Sequence, residues 1–144
     1  VPDDRAVLIG GYDGYIRQFD PDVLDDDGTA ITSYVVLAPL VGRPESRIKM
    51  TRLTAIFDRN GDDVLVECYK GDTPEQAVND AITGASPYYS IEVEAGRSKP
   101  LLQHASAPCL CLRLENSDDD ETWATEQLSA VIHAPAGLAT ENAG

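Results

Sequence analysis

At 144 residues, with 42% hydrophobic and 25% charged residues, the chain has the size and composition of one globular domain and not of a disordered segment. No apolar run approaches the roughly 20 residues of a membrane span, and a formal net charge of -14 repels a phosphate backbone, so membrane and nucleic acid are poor partners. The same charge reads as a device for solubility or as a surface for cations or a basic partner.

The chain opens at Val1 with Pro-Asp-Asp directly before a strand and shows no basic-then-apolar leader. It reads as a piece of a longer polypeptide or as a processed product. Residues 1–20 are expected to form a β-hairpin. Ala6-Val7-Leu8-Ile9 is apolar and β-rich, Tyr15 to Phe19 alternates, and Asp13-Gly14 suits a tight turn because glycine tolerates positive φ. Gly10 and Gly11 suggest a bulge or a close backbone approach.

After an Asp- and Gly-rich loop, Ala30 to Leu37 is a nearly continuous apolar and β-branched run, of the kind buried on both faces. Pro39 stops it. Arg47 to Phe57 is the longest strand. Its apolar side switches near Arg52, which predicts a bulge or a bend between two environments. Asn60-Gly61 predicts a hairpin turn to a return strand, Val64 to Tyr69, with Val64, Val66 and Cys68 inward.

Thr73-Pro74-Glu75-Gln76 is the one good helix start, with Thr73 as cap, Pro74 in the first turn and Gln76 completing a capping box. The helix should end near Ile82, before Gly84. Tyr89, Ile91 and Val93 then point inward on a strand that alternates with Ser90, Glu92 and Glu94. Pro108 precedes Cys109 to Glu115, where Leu110, Leu112 and Leu114 share one face and Cys109 and Cys111 the other. A last strand is expected over Trp123 to His133.

Seven to eight strands with short connections predict an all-β, mainly antiparallel fold, a β-sandwich or jelly-roll-like domain over residues 21–134, with one short helix. Residues 135–144 are expected to be a flexible tail.

Chemistry finds little foothold. If Gly28 were the turn glycine of a calcium loop at Asp25-Asp26-Asp27, Val23 and Tyr34 would fall at ligand positions. Asp58-Arg59-Asn60-Gly61 places Glu67 at the last ligand position but Ile56 at the first. Asp118 to Glu121 reads as a solvated turn. No metal and no cofactor is therefore expected. His104 and His133 sit in no nucleophile or zinc motif. Cys68, Cys109 and Cys111 are odd in number and read as small hydrophobes in a reducing compartment. The chain is expected not to be an enzyme. Tyr12, Tyr15, Tyr88 and Tyr89 either form a contact patch or pack in hairpin and core, the second being the simpler reading. The candidate interaction surface is Tyr12, Asp13, Tyr15, Arg17 and Tyr88.

Leu8 to Asp20, with Gly10, Asp13, Gly14 and Tyr15 in a Gly-x-x-Asp-Gly-Tyr pattern, resembles the hairpin that closes a propeller-like body in structural proteins of tailed bacteriophages. Asp26-Asp27-Gly28-Thr29-Ala30-Ile31, Ala38-Pro39-Leu40, Arg47-Ile48-Lys49, and then Leu112, Leu114, Asn116 and Trp123 follow in the order such proteins show. The chain departs from the pattern in lacking most of a propeller. The resemblance implies a non-enzymatic virion component, a tail hub, nozzle or head–tail adaptor subunit made in the bacterial host cytoplasm. Its implied partners are other virion proteins of the tail, neck or portal region, in a homo-oligomeric ring. The alternative is a carbohydrate-binding or host-attachment module with the tyrosines as platform and calcium in the acidic loops.

Overall fold

The computed structural model describes residues 7–10, 12, 14–19, 29–43, 46–98, 101, 104–118 and 121–134. The chain folds as a mostly antiparallel all-β sandwich, with a single short helix among the described residues. An N-terminal hairpin pairs β1 (Val7–Gly10) with β2 (Ile16–Phe19). The larger sheet is built around β9 (Cys109–Asn116). On one side of β9 lie β3 (Ser33–Val36) and the two-residue β4 (Leu40–Val41); on the other lie β6 (Val64–Gly71) and then β7 (Tyr89–Val93). The smaller sheet has β5 (Ile48–Phe57) between β10 (Thr125–His133) and β8 (Ala105–Ala107).

The period-two patterns decide which faces are buried. Val64, Val66 and Cys68 of β6 and Leu110, Leu112 and Leu114 of β9 meet Ile48, Met50, Leu53, Ala55 and Phe57 of β5 between the sheets. Tyr89, Ile91 and Val93 extend this core under β7, as expected. The bulge expected near Arg52 is present. Val131 pairs with Arg52 and Ile132 with Met50, so Thr51 is the extra residue. That one residue keeps Met50 and Leu53 on the same face.

Helix α1 (Pro74–Thr83) covers the outer face of the larger sheet. Its start follows from the capping residues. Thr73 Oγ1 accepts the Gln76 N–H at 3.2 Å, while Gln76 Oε1 accepts from Asp72 N–H at 3.1 Å, one residue earlier than the standard capping box. Gly84 ends it in the left-handed region at φ 67. The helix rests on Tyr69, Cys109 and Cys111 through Ala77 and Ala81. Small residues on both sides let the helix axis come close to the sheet.

Three expectations need correction. Ala30 to Leu37 is not buried on both faces. Its strand, β3, lies at an edge of the larger sheet, with Tyr34 and Val35 exposed. Asn60-Gly61 makes a turn, but not a hairpin, because β5 and β6 belong to different sheets. The turn is instead tied to the segment before β10, through Asp58 N–H to Ala124 O and Asp62 N–H to Thr122 O. Pairing of β1 with β2 ends at Gly10 opposite Ile16, so the connection is a five-residue loop with Gly14 at φ 84, and not a two-residue Asp-Gly turn. Asp13, the Asp25 to Asp27 run, Asp119, Asp120 and the expected tail 135–144 lie outside the described residues. Among the described residues, no helix is long and apolar enough to cross a membrane.

Candidate functional site

The hairpin carries four of the five residues of the expected interaction surface. Leu8 is 63% exposed, Ile9 54% and Ile16 74%. Leu8 and Ile16 lie on one face of the ribbon and Ile9 on the other, because Leu8 pairs with Gln18, Ile9 with Arg17 and Gly10 with Ile16. Both faces therefore show apolar side chains. Tyr12 and Tyr15 are exposed at the loop end. Arg17 lies on β2, and Asp13 is outside the described residues.

Tyr88 belongs to the sandwich. Its hydroxyl donates to His104 O at 3.2 Å, and the Lys70 ammonium stands 3.0 Å from its ring centroid. One ring face is thus already covered, which removes it as an open stacking platform on that side. Tyr89 packs against the core.

A buried charge network, which sequence reading missed, lies beside the helix. Arg113 is directly opposite Glu67 on β6, and Glu115 follows it on the same face of β9. The guanidinium is ion-paired with Glu115 and lies 3.9 Å from Glu67, and its Nη1 donates to Ala81 O at 3.0 Å. Tyr34 receives it at 4.4 Å from the ring centroid. The Tyr69 hydroxyl donates to Glu67 at 2.6 Å. Burial, followed by the Glu67 carboxylate, pushes that hydroxyl's pKa upward. The helix has no basic residue in its last turn, so Arg113 supplies from β9 the cation that its C-terminal carbonyls favour. The two carboxylates are held by a cation and a phenol, the arrangement of a structural clamp.

The thiols are buried and unpaired by disulfides. Burial raises Cys68 from the ordinary 9.0 to about 11, with Lys70 opposing the shift. Burial also raises Cys109 and Cys111. Cys111 Sγ donates to Leu37 O at 3.3 Å. High-pKa, enclosed thiols are poor nucleophiles. We therefore expect iodoacetamide to label none of the three until the fold opens. The folded state holds these protons more tightly than the unfolded chain does. Their contribution to stability is complete below pH 9 and is lost at higher pH, for Cys68 as pH rises through about 11. Urea midpoints across pH 8 to 11 check the sign; a rising midpoint contradicts it.

Among the described residues, no group of three or more His, Cys, Asp or Glu side chains is placed to hold one metal ion. Glu67, which spacing alone put at the last position of a calcium loop, is engaged by Arg113 and Tyr69, and Asp58 Oδ1 accepts the Asn60 N–H at 3.1 Å within its own turn. A hollow of about 660 Å³ beside Arg43, Arg47, Asp72 and Cys109 is an open cleft at one end of the sheets.

The outer face of the smaller sheet is cationic. Lys49 and His133 pair across β5 and β10, Arg52 pairs with Val131, and Arg97 bridges to Ile56. Lys49, Arg52 and Arg97 are exposed, and among the described residues none is in an ion pair. The signal was present in the sequence, since Arg47 to Phe57 holds three basic residues and no acid. It had meaning only once the sheet brought Arg97 alongside. No protein-family model and no curated protein matches the chain.

Proposed function

We propose that the chain is a non-enzymatic assembly subunit, a structural component of a tailed-phage virion at the hub, nozzle or head–tail junction, which attaches through its N-terminal hairpin to a sheet of a partner subunit. The observation that carries this reading is the apolar exposure on both faces of β1–β2. A two-stranded hairpin is marginal on its own in water, and an uncovered apolar edge invites pairing. Burying Leu8, Ile9 and Ile16 in a partner contributes about 1.5–3 kcal/mol each when complete. The virion setting rests on the ordered resemblance along Leu8 to Trp123. The glycan-binding reading is weaker, because Lys70 covers one face of Tyr88 and Tyr89 is packed in the core.

Hydrogen exchange tests the hairpin. In the purified chain, amides of Val7 to Phe19 are expected to exchange far faster than those of β6 and β9, and to become protected in the assembled particle. Hairpin protection in the isolated monomer equal to that of β9 would show that the hairpin is already satisfied. Mass spectrometry of purified virions from the encoding phage is expected to find the chain in multiple copies. Its absence there would remove the virion setting.

A further inference from the structure

The cations of this acidic chain are not spread evenly. Lys49, Arg52 and Arg97 share the outer face of β10-β5-β8, with Arg47 at one end of β5 and Arg59 at the other. These are five of the 11 Lys and Arg residues in a chain of net charge -14. The three strands contribute one carboxylate, Glu126, which lies at the irregularity between Thr125 and Gln127. At the middle of the face stand Thr51, Thr54, Ile56 and the exposed Val131. An apolar and hydroxyl-bearing centre with a charged rim has the anatomy of a protein interface.

The opposite side of the molecule has the complementary character. The layers run helix, larger sheet, core, smaller sheet, so α1 faces away from the cationic sheet. The helix carries Glu75 and Asp80 and no basic residue. One of these acids, Glu75, lines a shallow hollow of about 410 Å³ together with Pro39, Pro74, Val78, Asn79 and Ile82, the last half-exposed.

We propose that the cationic outer face of the smaller sheet docks on the acidic helix face of a second copy of this chain. The contact is heterologous, front to back, so each copy keeps a free face of each kind and the series closes as a ring or runs as a filament. Charge complementarity selects this occupant, because a second copy presents a helix with acids and no base, beside an apolar hollow at Glu75, to cations around an apolar centre. A sheet face about 33 Å long and three strands wide is at the small end of interface sizes. The association is accordingly weak and salt-sensitive. The inference deepens the assembly reading but uses a surface separate from the hairpin.

The test uses sedimentation velocity of the full chain at low and high salt. The wild-type chain is expected to associate at low salt and dissociate at about 0.5 M, where screening reaches within about 5 Å. Lys49→Glu with Arg52→Glu, and separately Glu75→Lys with Asp80→Lys, are each expected to weaken association more than about tenfold. All four positions are accessible to solvent, and unchanged circular dichroism verifies the folds. An equimolar mixture of the two double variants is expected to restore association, since an acidic front then meets a basic back and the reverse. A wild-type monomer at low salt overturns the proposal. So does failure of the mixture to recover, or loss with the front variant alone. Binding of heparin or duplex DNA that depends on Lys49 and Arg52, without self-association, assigns the face to a polyanion and also overturns it. Association is expected to persist after deletion of residues 1–20. If deletion abolishes it, the contact belongs to the hairpin and this inference fails while the assembly reading stands.

Discussion

Replacing Arg113 by Ala is expected to lower the stability of the sandwich by about 3–5 kcal/mol, one of the two largest single-residue effects expected here. The loss comes less from the attraction removed than from what is left behind. Glu67 and Glu115 would remain beside each other on a mostly buried face, with no cation and only the Tyr69 hydroxyl hydrogen-bonded to one of them. The helix would also lose the donor to Ala81 O, and Tyr34 the cation over its ring. Urea unfolding followed by circular dichroism measures the change as a shift in midpoint at constant slope. The triple variant Arg113→Met, Glu67→Gln, Glu115→Gln removes the charges together and is expected to recover most of the loss, since replacing a whole buried ion network costs far less than orphaning part of it. If Arg113→Ala alone cost under about 1 kcal/mol, water would have to reach the two carboxylates.

Gly71→Val is the second large effect, with an expected cost of about 3 kcal/mol. Even a single Cβ at Gly71 would stand 2.7 Å from both Ala77 N and Thr73 O, and 2.9 Å from Ala77 Cβ. Two of these are backbone atoms of the helix's first turns, so no flexible side-chain end can give way. The helix would have to lift from the sheet, which opens the layer over Cys109 and Cys111. Lowered melting temperature together with iodoacetamide labelling of those two thiols is the expected signature. Gly10→Ala is the matched control, because a Cβ there meets nothing within 4 Å, and its effect is expected to stay within about 0.5 kcal/mol. If both variants melted alike, helix-to-sheet contact at Gly71 would not limit stability.

What the sequence determined by itself was whatever a local period or a local cap specifies. Val64, Val66 and Cys68, and Leu110, Leu112 and Leu114, alternate because a strand exposes opposite faces at successive residues, and they turned inward as their pattern required. Thr73, Pro74 and Gln76 set the helix start through hydrogen bonds spanning four residues or fewer. The switch of apolar face at Arg52 announced the bulge, because only an extra residue keeps Met50 and Leu53 in one core.

The tertiary structure alone decided which strands are neighbours. Asn60-Gly61 turns the chain equally well within a sheet or between sheets, and the choice rested on β9, some 50 residues further on, pairing with β6 instead of β5. The apolar run before Pro39 looked doubly buried, yet it became an edge because β3 is the last partner β9 accepts on that side. β8, only three residues long, is held by its pairing with Ile48 to Met50 and shows no pattern of its own. The Arg113 network and the cationic face have the same origin. Arg113 meets Glu67, 46 positions away, and Arg97 comes beside Ile56, only through strand registers that no window of sequence contains.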